Sequence, residues 1–315
     1  MINEGIIILD KPAGYTSHDC VAIIRKLTGI KRVGHTGTLD PQATGVLTVC
    51  IGSAARITEY LDFDYKTYRC EIEFGRMTDT YDAWGTDLPQ DEQQTAAVLE
   101  LTEDKIREVL KRFKGHILQM PPKYSALKVN GKKLYEYARS GQDVDIKARN
   151  VDITELEIDS IDLWNKKAVF TVKCSKGTYI RSICHDAGSM LGCGAVMSGL
   201  VRLESGACKI EDSVSIDELR NTKDLNTVIR RADFALQNMG KIEIPPHRSG
   251  WFLNGGSLRA DEAEIVEEPK IPEQKDFYCV YSNEDFLGVA VIKNGAYKPD
   301  KIFSKRTRSI RDENF

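Results

Sequence analysis

The sequence predicts an α+β protein in which a mixed, largely antiparallel central sheet is flanked by helices and followed by a small β-rich domain. Predicted strands and helices follow one another without the regular alternation that builds parallel α/β sheets. Several strands alternate apolar and polar residues, which is typical of antiparallel sheets with one solvated face. A Pro-Pro pair at positions 245 and 246 marks a boundary before the last segment of the chain.

Four elements are predicted in the N-terminal region. The apolar run at residues 5–9 predicts a buried strand. Residues 17–28 carry apolar side chains at helical spacing and precede Gly29, which predicts a helix that ends there. Residues 34–45 are rich in Gly, Thr, Asp and Pro and predict a loop, and the apolar residues 46–51 predict a second strand.

Five further elements are predicted in the middle of the chain. Apolar and polar residues alternate at positions 65–74 and 168–174, and both segments predict strands. Helical spacing of apolar residues predicts helices at residues 103–113, 180–191 and 225–232.

The segment after Pro246 predicts a small β-rich module. Residues 278–281 and 287–292 are short apolar runs that predict two strands. The pair Asn294-Gly295 follows the second of them and is a strong signal for a hairpin turn.

The composition of the 315 residues indicates a soluble globular protein, with 41% hydrophobic and 29% charged residues. The net charge of −3 argues weakly against a nucleic-acid partner, although binding depends on where basic residues cluster. Eight cysteines occur without C-x-x-C spacing, which favours a reducing cytoplasm over a zinc site or a disulfide framework. No signal peptide, membrane span or metal motif is recognisable, so a cytoplasmic protein without membrane contact is expected.

The loop at residues 34–45 is the most unusual candidate for chemistry. Its glycines permit close approach to a ligand, and Pro41 favours an extended backbone at Asp40. Taken alone, an Asp-Pro pair in a loop is more often a turn or a helix cap. The loop lacks the G-K-S/T ending of a phosphate-binding loop. The spacing of carboxylates does not exclude a hydrolase with paired carboxylates, although nothing in the sequence identifies a second catalytic carboxylate.

A basic segment, residues 121–150, interleaves seven Lys or Arg residues with three tyrosines. Cations that meet phosphates and rings that stack on splayed bases suit an RNA-binding surface. The alternative is a solvated helix and loop with a few core tyrosines, and the segment alone does not decide between them.

Five segments, in order, resemble the TruB family, the tRNA pseudouridine-55 synthases. They are residues 5–17 (GIIILDKPAGYTS), 34–45 (GHTGTLDPQATG), 124–139 (YSALKVNGKKLYEYAR), 174–182 (CSKGTYIRS) and 200–203 (LVRL). The resemblance covers roughly residues 5–235 and implies a pseudouridine synthase catalytic domain at residues 1–240. Residues 246–315 resemble, more loosely, an RNA-binding PUA domain.

The resemblance implies a role for each matched residue. Asp40 would be the catalytic aspartate, and Arg181 would be its ion-pair partner. Tyr68 would stack on the flipped base and help to remove the proton from carbon five; the less favoured alternative is an ordinary core tyrosine on the apolar face of the strand. Further substrate contacts are expected from His35, Lys11, Pro12, Leu200, Tyr179, Lys132 and Lys133.

The resemblance also implies the reaction and its partners. The substrate would be the T arm of tRNA, where the uridine at position 55 becomes pseudouridine without a cofactor, a metal ion or a protein partner. A monomer is expected. Two alternatives remain: an RNA-guided synthase with a similar aspartate loop, and a tRNA-folding chaperone in which catalysis is incidental.

Overall fold

The computed structural model describes residues 4–61 and 65–303. The chain forms two compact units, unit 1 from Met1–Asp64 and Glu204–Phe315, and unit 2 from Tyr65–Leu203. Unit 1 therefore combines residues from both sides of the boundary predicted at residues 240–246, and that division stays a prediction. Within the described ranges, no helix has the length and apolar character required to cross a membrane.

Strands and short helices alternate irregularly along the chain. The strands are β1 (Gly5–Lys11), β2 (Val33–Thr36), β3 (Thr44–Ile51), β4 (Lys66–Phe74), β5 (Gly115–Gln119), β6 (Lys128–Val129), β7 (Lys132–Lys133), β8 (Arg149–Asp162), β9 (Lys167–Cys174), β10 (Ala195–Ser205), β11 (Cys208–Lys209), β12 (Gly240–Glu243), β13 (Leu258–Arg259), β14 (Glu264–Glu267), β15 (Phe277–Ser282), β16 (Asp285–Lys293) and β17 (Ala296–Ile302). The α-helices are α1 (Ser17–Thr28), α2 (Thr58–Leu61), α3 (Glu92–Leu99), α4 (Glu103–Lys111), α5 (Leu134–Arg139), α6 (Ile180–Met190), α7 (Ile216–Asn221) and α8 (Pro246–Leu253).

The N-terminal part of unit 1 is built on strand β3. Strands β1 and β2 both pair with it antiparallel, and the β1 register runs from Gly5 opposite Ile51 to Lys11 opposite Gly45. Helix α1 has the predicted bounds because a Thr16–Asp19 capping box begins it and Gly29, at φ 70°, ends it. The predicted loop at residues 34–45 is shorter than expected, since its first residues complete β2 and its last two begin β3.

The C-terminal sheet of unit 1 confirms the predicted hairpin. Its strand order is β13-β17-β16-β15-β12-β14, and β12–β15 is the parallel pair among otherwise antiparallel ones. Asn294 (φ 53°) and Gly295 (φ 73°) form the two-residue turn between β16 and β17. Both angles lie in the left-handed region, where Asn and Gly are the favoured residues.

Two apolar clusters show how the C-terminal sheet is packed within unit 1. One packs helix α8 against the sheet and includes Phe252 of α8 and Leu287 of β16. The other combines Ile6 of β1 with Cys279 and Val289 of β15 and β16. The C-terminal strands therefore share buried apolar surface with the N-terminal strand, and burial of this kind is the main favourable contribution to folding.

The helix predicted at residues 225–232 is wrong. The structure has a 3-10 turn at Leu225–Thr227, and the backbone of Arg230 then bonds to Ile6 in both directions, with N···O distances of 2.8 Å. A residue whose N–H and C=O pair with a strand cannot also contribute to a helical ladder. The apolar spacing is real, because Val228 and Ile229 pack in the core, but the backbone is irregular.

Unit 2 is built on a sheet with the order β10-β4-β9-β8-β5. Strands β4, β9, β8 and β5 pair antiparallel in turn. The alternation predicted for residues 65–74 is confirmed, since Cys70, Ile72 and Phe74 are buried while Arg69 is exposed. Helices α4 and α6 begin where the sequence predicted helices, and both end slightly earlier.

Candidate active site

The predicted site residues lie in both units. Those of unit 1 are Lys11, Pro12, His35 and Asp40. Those of unit 2 are Tyr68, Lys132, Lys133, Tyr179, Arg181 and Leu200.

The loop that carries Asp40 connects β2 to β3. Gly37 (φ 64°) and Gly45 (φ 97°) lie near its two ends, with backbone angles that favour glycine. The N–H of Ala43 donates to the carbonyl oxygen of Asp40 at 3.1 Å and closes a turn around Pro41. The Asp40 side chain is half-buried.

Lys11 holds this loop from the end of β1. Its side chain is fully buried, and its Nζ donates to the carbonyl oxygens of Pro12, Tyr15 and Pro41 at 3.0, 2.7 and 2.9 Å. A buried ammonium requires such partners, because an unpaired charge costs several kcal/mol to remove from water. Lys11 therefore supports the backbone next to Asp40, and the carbonyl oxygen of half-buried Pro12 accepts from the same ammonium group.

Helix α1 makes a second attachment to the loop. The buried Ser17 hydroxyl accepts from the N–H of Leu39 at 3.0 Å and lies 3.3 Å from its carbonyl oxygen. Leu39 is itself buried, so the residue before Asp40 is fixed by packing and by hydrogen bonding. His35, half-buried on β2, has its ring edge-to-face with that of His18 at 6.1 Å. Lys11 and Ser17 therefore hold the backbone on both sides of Asp40.

Arg181 is buried at the start of α6 in unit 2. Its Nη1 lies 3.3 Å from Oδ2 of Asp82 and donates to the carbonyl oxygen of Thr80 at 3.1 Å. Its Nη2 donates to the carbonyl oxygen of Tyr124 at 3.0 Å. Within unit 2, Asp82 is therefore the carboxylate partner of Arg181, while the pairing of Arg181 with Asp40 stays a prediction.

Asp82, the carboxylate that contacts Arg181, was not predicted from the sequence. Its Oδ1 accepts from the hydroxyl of Thr80 at 2.7 Å and from the N–H of Trp84 at 3.2 Å, which aims Oδ2 at Arg181. Tyr81 adopts φ 65°, an uncommon angle for a residue with a side chain, and its ring stacks on His185 at 3.8 Å. The sequence signal that could have indicated Asp82 is a second loop rich in Thr and Asp, at residues 78–86.

Tyr68 and Leu200 lie on neighbouring strands of the same sheet. Tyr68 is half-buried on β4 opposite Val172, and Leu200 is buried on β10. On β4 the residue Glu71 bonds to Lys167 and Ser198, and these hydrogen bonds lower the pKa of its carboxyl group, Lys167 contributing most. The role predicted for Tyr68 stays a prediction.

The basic segment forms a hairpin and a short helix. Strands β6 and β7 pair around the turn Asn130-Gly131, where both backbone angles are left-handed. The half-buried Lys132 and Lys133 form β7 and lie over tyrosine rings, Lys132 at 4.7 Å from the centre of Tyr137. A second ring, that of Tyr135, is shared by Lys133 at 5.5 Å and Arg139 at 5.4 Å. A surface on which cations lie over aromatic rings can also bind phosphates and stack with bases.

Comparisons with known proteins place the chain in a family. A model described as TruB family pseudouridylate synthase (N terminal domain) matches residues 25–180, and one described as tRNA pseudouridylate synthase B C-terminal domain matches residues 181–237. The tRNA pseudouridine synthase B of Alkaliphilus oremlandii is 40% identical over 92% of this chain and 94% of its own length. The chain belongs to the TruB family of pseudouridylate synthases.

Other relatives and solved structures agree with the TruB family and with its fold. The tRNA pseudouridine synthase B of Clostridium novyi is 41% identical over 95% of this chain and 99% of that protein. A solved structure titled "Crystal Structure of a Cbf5-Nop10-Gar1 Complex" contains a chain that is 26% identical, with a TM-score of 0.73, covering 95% of this chain and 85% of that one. The predicted α+β pseudouridine synthase fold with a β-rich C-terminal part is confirmed.

Proposed function

We propose that this protein isomerises a uridine of tRNA to pseudouridine, and that the target is the uridine at position 55 in the T arm. The observation that carries the proposal is the match, at about 40% identity over nearly the whole chain, to proteins named tRNA pseudouridine synthase B. The rigidly held loop around Asp40 supports it, since the reaction requires one positioned carboxylate.

The proposed chemistry uses groups that the chain itself supplies. The bond between N1 of uracil and the anomeric carbon breaks, the base turns, and carbon five joins the sugar. The proton on carbon five then leaves, and N1 gains a proton, so that the product is an isomer of the substrate. Asp40 acts either as nucleophile on the anomeric carbon or as base on the neighbouring ribose carbon. Tyr68 would receive the base and help to remove the proton, and Arg181 would pair with Asp40. His35 and Leu200 would contact the flipped nucleotide.

The basic segment supports tRNA as the partner of an otherwise acidic chain. It contains seven Lys or Arg residues against three Asp or Glu, although the whole protein carries a net charge of −3. Flipping a base out of its stack costs a few kcal/mol, and phosphate contacts from Lys132 and Lys133 would offset that cost. Residues 246–315 would add a second RNA-binding surface, as the resemblance to a PUA domain implies.

A stand-alone enzyme is favoured over an RNA-guided one. The relatives named tRNA pseudouridine synthase B are about 40% identical over nearly their whole length, whereas the Cbf5 chain is 26% identical. We therefore expect activity without guide RNA or partner proteins, and the resemblance to the TruB family implies a monomer. All eight cysteines, which lie within the described ranges, are buried thiols, in keeping with a reducing cytoplasm.

Tritium release tests the proposed function directly. An unmodified tRNA transcript labelled at carbon five of uridine is incubated with the purified protein alone, and the released tritium is counted. One equivalent per tRNA, lost when the uridine at position 55 is replaced by cytidine, is the expected result. Tight binding without release would favour the guide-dependent enzyme or the chaperone.

Reversing two charges in the basic segment is expected to weaken tRNA binding by about 10-fold or more at low salt. The change is Lys132→Glu with Lys133→Glu, and the slope of log affinity against log salt should fall by about 0.7 to 0.9 for each phosphate that the protein no longer neutralises. The control is Lys111→Glu with Lys114→Glu, exposed lysines of the same unit that make the same change in net charge. Equal slopes for the two double variants would remove the basic segment from the interface.

A further inference from the structure

The side chain of Gln119 bonds to both backbone groups of one residue at the start of α6. It is only 2% exposed at the end of β5. Its Nε2 donates to the carbonyl oxygen of Tyr179 at 3.0 Å, and its Oε1 accepts from the N–H of Tyr179 at 2.8 Å. A backbone N–H can only donate and a carbonyl can only accept, so the partners fix which amide atom faces which.

These two hydrogen bonds replace the local side-chain cap that commonly begins a helix. Tyr179 is the cap residue of α6 and makes no capping hydrogen bond with its own side chain. In a capping box, a Glu or Gln on the third helical residue accepts from the backbone N–H of the cap. Here that third residue is Ser182, whose hydroxyl instead donates to the carbonyl oxygen of Met120 at 2.8 Å. Gln119, sixty positions earlier in the chain, takes over the bond to the cap.

The start of α6 determines where Arg181 lies. Arg181 is the second helical residue, and its guanidinium spans Asp82 on one side and the carbonyl oxygen of Tyr124 on the other. A change in the path of the backbone at Tyr179 would move the Cα of Arg181 relative to these partners. Displacements of about 1 Å can reduce a reaction rate by about 10²-fold, because catalytic groups act only in a narrow range of geometries.

The same contacts join α6 to the basic segment. Met120 lies directly before the buried pair Pro121-Pro122, where that segment begins, and Tyr124 lies inside it. Tyr124 is also hydrogen-bonded to Asp79, and burial together with that carboxylate raises the pKa of the Tyr124 hydroxyl. Residues 119–124 therefore connect the surface proposed for tRNA to the turn that carries Arg181.

We propose that Gln119 is a positioning residue for pseudouridine formation, acting by fixing Tyr179 and, through it, Arg181. The amide needs both of its functions: an acceptor for the N–H of Tyr179 and a donor for its carbonyl oxygen. The inference rests on the proposed function of Arg181 in the reaction. Because Gln119 is buried, its removal is expected to affect the chemical step more than the affinity for tRNA.

Gln119→Met tests the inference by removing both hydrogen bonds while keeping the length of the side chain. The single-turnover rate constant at saturating protein is expected to fall about 10- to 100-fold, while the Kd for tRNA stays within about 3-fold. The control is Gln90→Met, since the half-buried Gln90 amide also donates to a backbone carbonyl of unit 2, that of Cys193 at 2.9 Å. The control is expected to keep the wild-type rate.

Gln119→Glu gives a readout that a packing role would not produce. A protonated carboxyl group donates through its O–H and accepts through its C=O, and so reproduces both functions of the amide, whereas the ionised form cannot donate. Burial raises the pKa of such a carboxyl from its ordinary value of about 4.3. The rate relative to wild type is therefore expected to rise as the pH falls from about 8.5 to about 6, while the ratio for Gln119→Met stays flat.

The outcomes separate this inference from the proposed function. If the wild type releases tritium and Gln119→Met has the same rate constant, the inference about Gln119 is wrong while the proposed function stands. The same holds if Gln119→Met is slower only because its Kd for tRNA is higher. If the rate of Gln119→Glu relative to wild type is independent of pH or falls toward low pH, Gln119 contributes only through packing. Where Gln119→Met yields too little folded protein, the pH profile of Gln119→Glu carries the test. No release by the wild type would overturn the proposed function itself.

Discussion

Asp40→Asn is expected to reduce the single-turnover rate by about 10³-fold or more while the Kd for tRNA changes by less than about 3-fold. Asparagine has nearly the same shape as aspartate, but it is neutral and is neither a nucleophile nor a base at neutral pH. The loop should keep its structure, because its supports include the Nζ of Lys11 on the Pro41 carbonyl and the hydroxyl of Ser17 on Leu39.

The measurement compares tritium release with tRNA binding for the same protein preparation. Asp217→Asn is a matched control, since this exposed aspartate of unit 1 undergoes the same change in charge at a site 83% exposed. The control should behave like the wild type in both assays. If the Asp40 variant loses binding and rate to the same degree, Asp40 is structural; if it keeps its rate, another group performs the chemistry. Retained tRNA binding without turnover would also isolate any chaperone activity.

Local determinants explain which parts of the fold could be predicted from the sequence. Helix α1 was predicted with its observed bounds because its cap and its terminating Gly29 are encoded within a few residues. The turn at Asn294-Gly295 follows from the left-handed preference of those two residues. The strand at residues 65–74 follows from alternation on a half-buried surface.

Long-range hydrogen bonds explain what the sequence could not predict. Residues 225–232 have helical apolar spacing, yet Arg230 pairs its backbone with Ile6, more than two hundred positions away. Asp82 and Gln119 join α6 across 99 and 60 positions respectively. A single sequence reports which side chains are polar, but the buried partner of each is determined only when the sheet and helix of unit 2 are assembled.

The resemblance correctly identified the family, but the contacts of the Arg181 guanidinium became known only from the structure. Arg181 was predicted as the partner of one carboxylate, and in unit 2 its guanidinium contacts a different carboxylate, that of Asp82, and two carbonyl oxygens. A planar guanidinium has five N–H donors in a fixed fork and can bind several acceptors at once. Arg181 can therefore bind Asp82 and two carbonyl oxygens of unit 2 together.

Arg181→Met is expected to lower both the stability and the activity of the protein. The side chains of Arg181 and Asp82 are 7% and 13% exposed, so the substitution leaves a buried carboxylate without its cation. Breaking a buried pair in this way costs about 3 to 5 kcal/mol in the free energy of unfolding. The single-turnover rate should fall by about 10²-fold or more, because the group that would orient Asp40 is removed.

A double variant separates these two effects. Oδ1 of Asp82 accepts from the Thr80 hydroxyl and the Trp84 N–H, and Asp82→Asn keeps an oxygen for both donors. The same substitution removes the negative charge that Arg181→Met leaves unpaired. Combining Arg181→Met with Asp82→Asn is therefore expected to recover most of the missing stability, as measured by urea unfolding, but none of the missing rate. Recovery of both would mean that Arg181 serves only to neutralise Asp82. Recovery of neither would mean that the two carbonyl contacts, to Thr80 and Tyr124, hold this part of unit 2 together and that the ion pair contributes little.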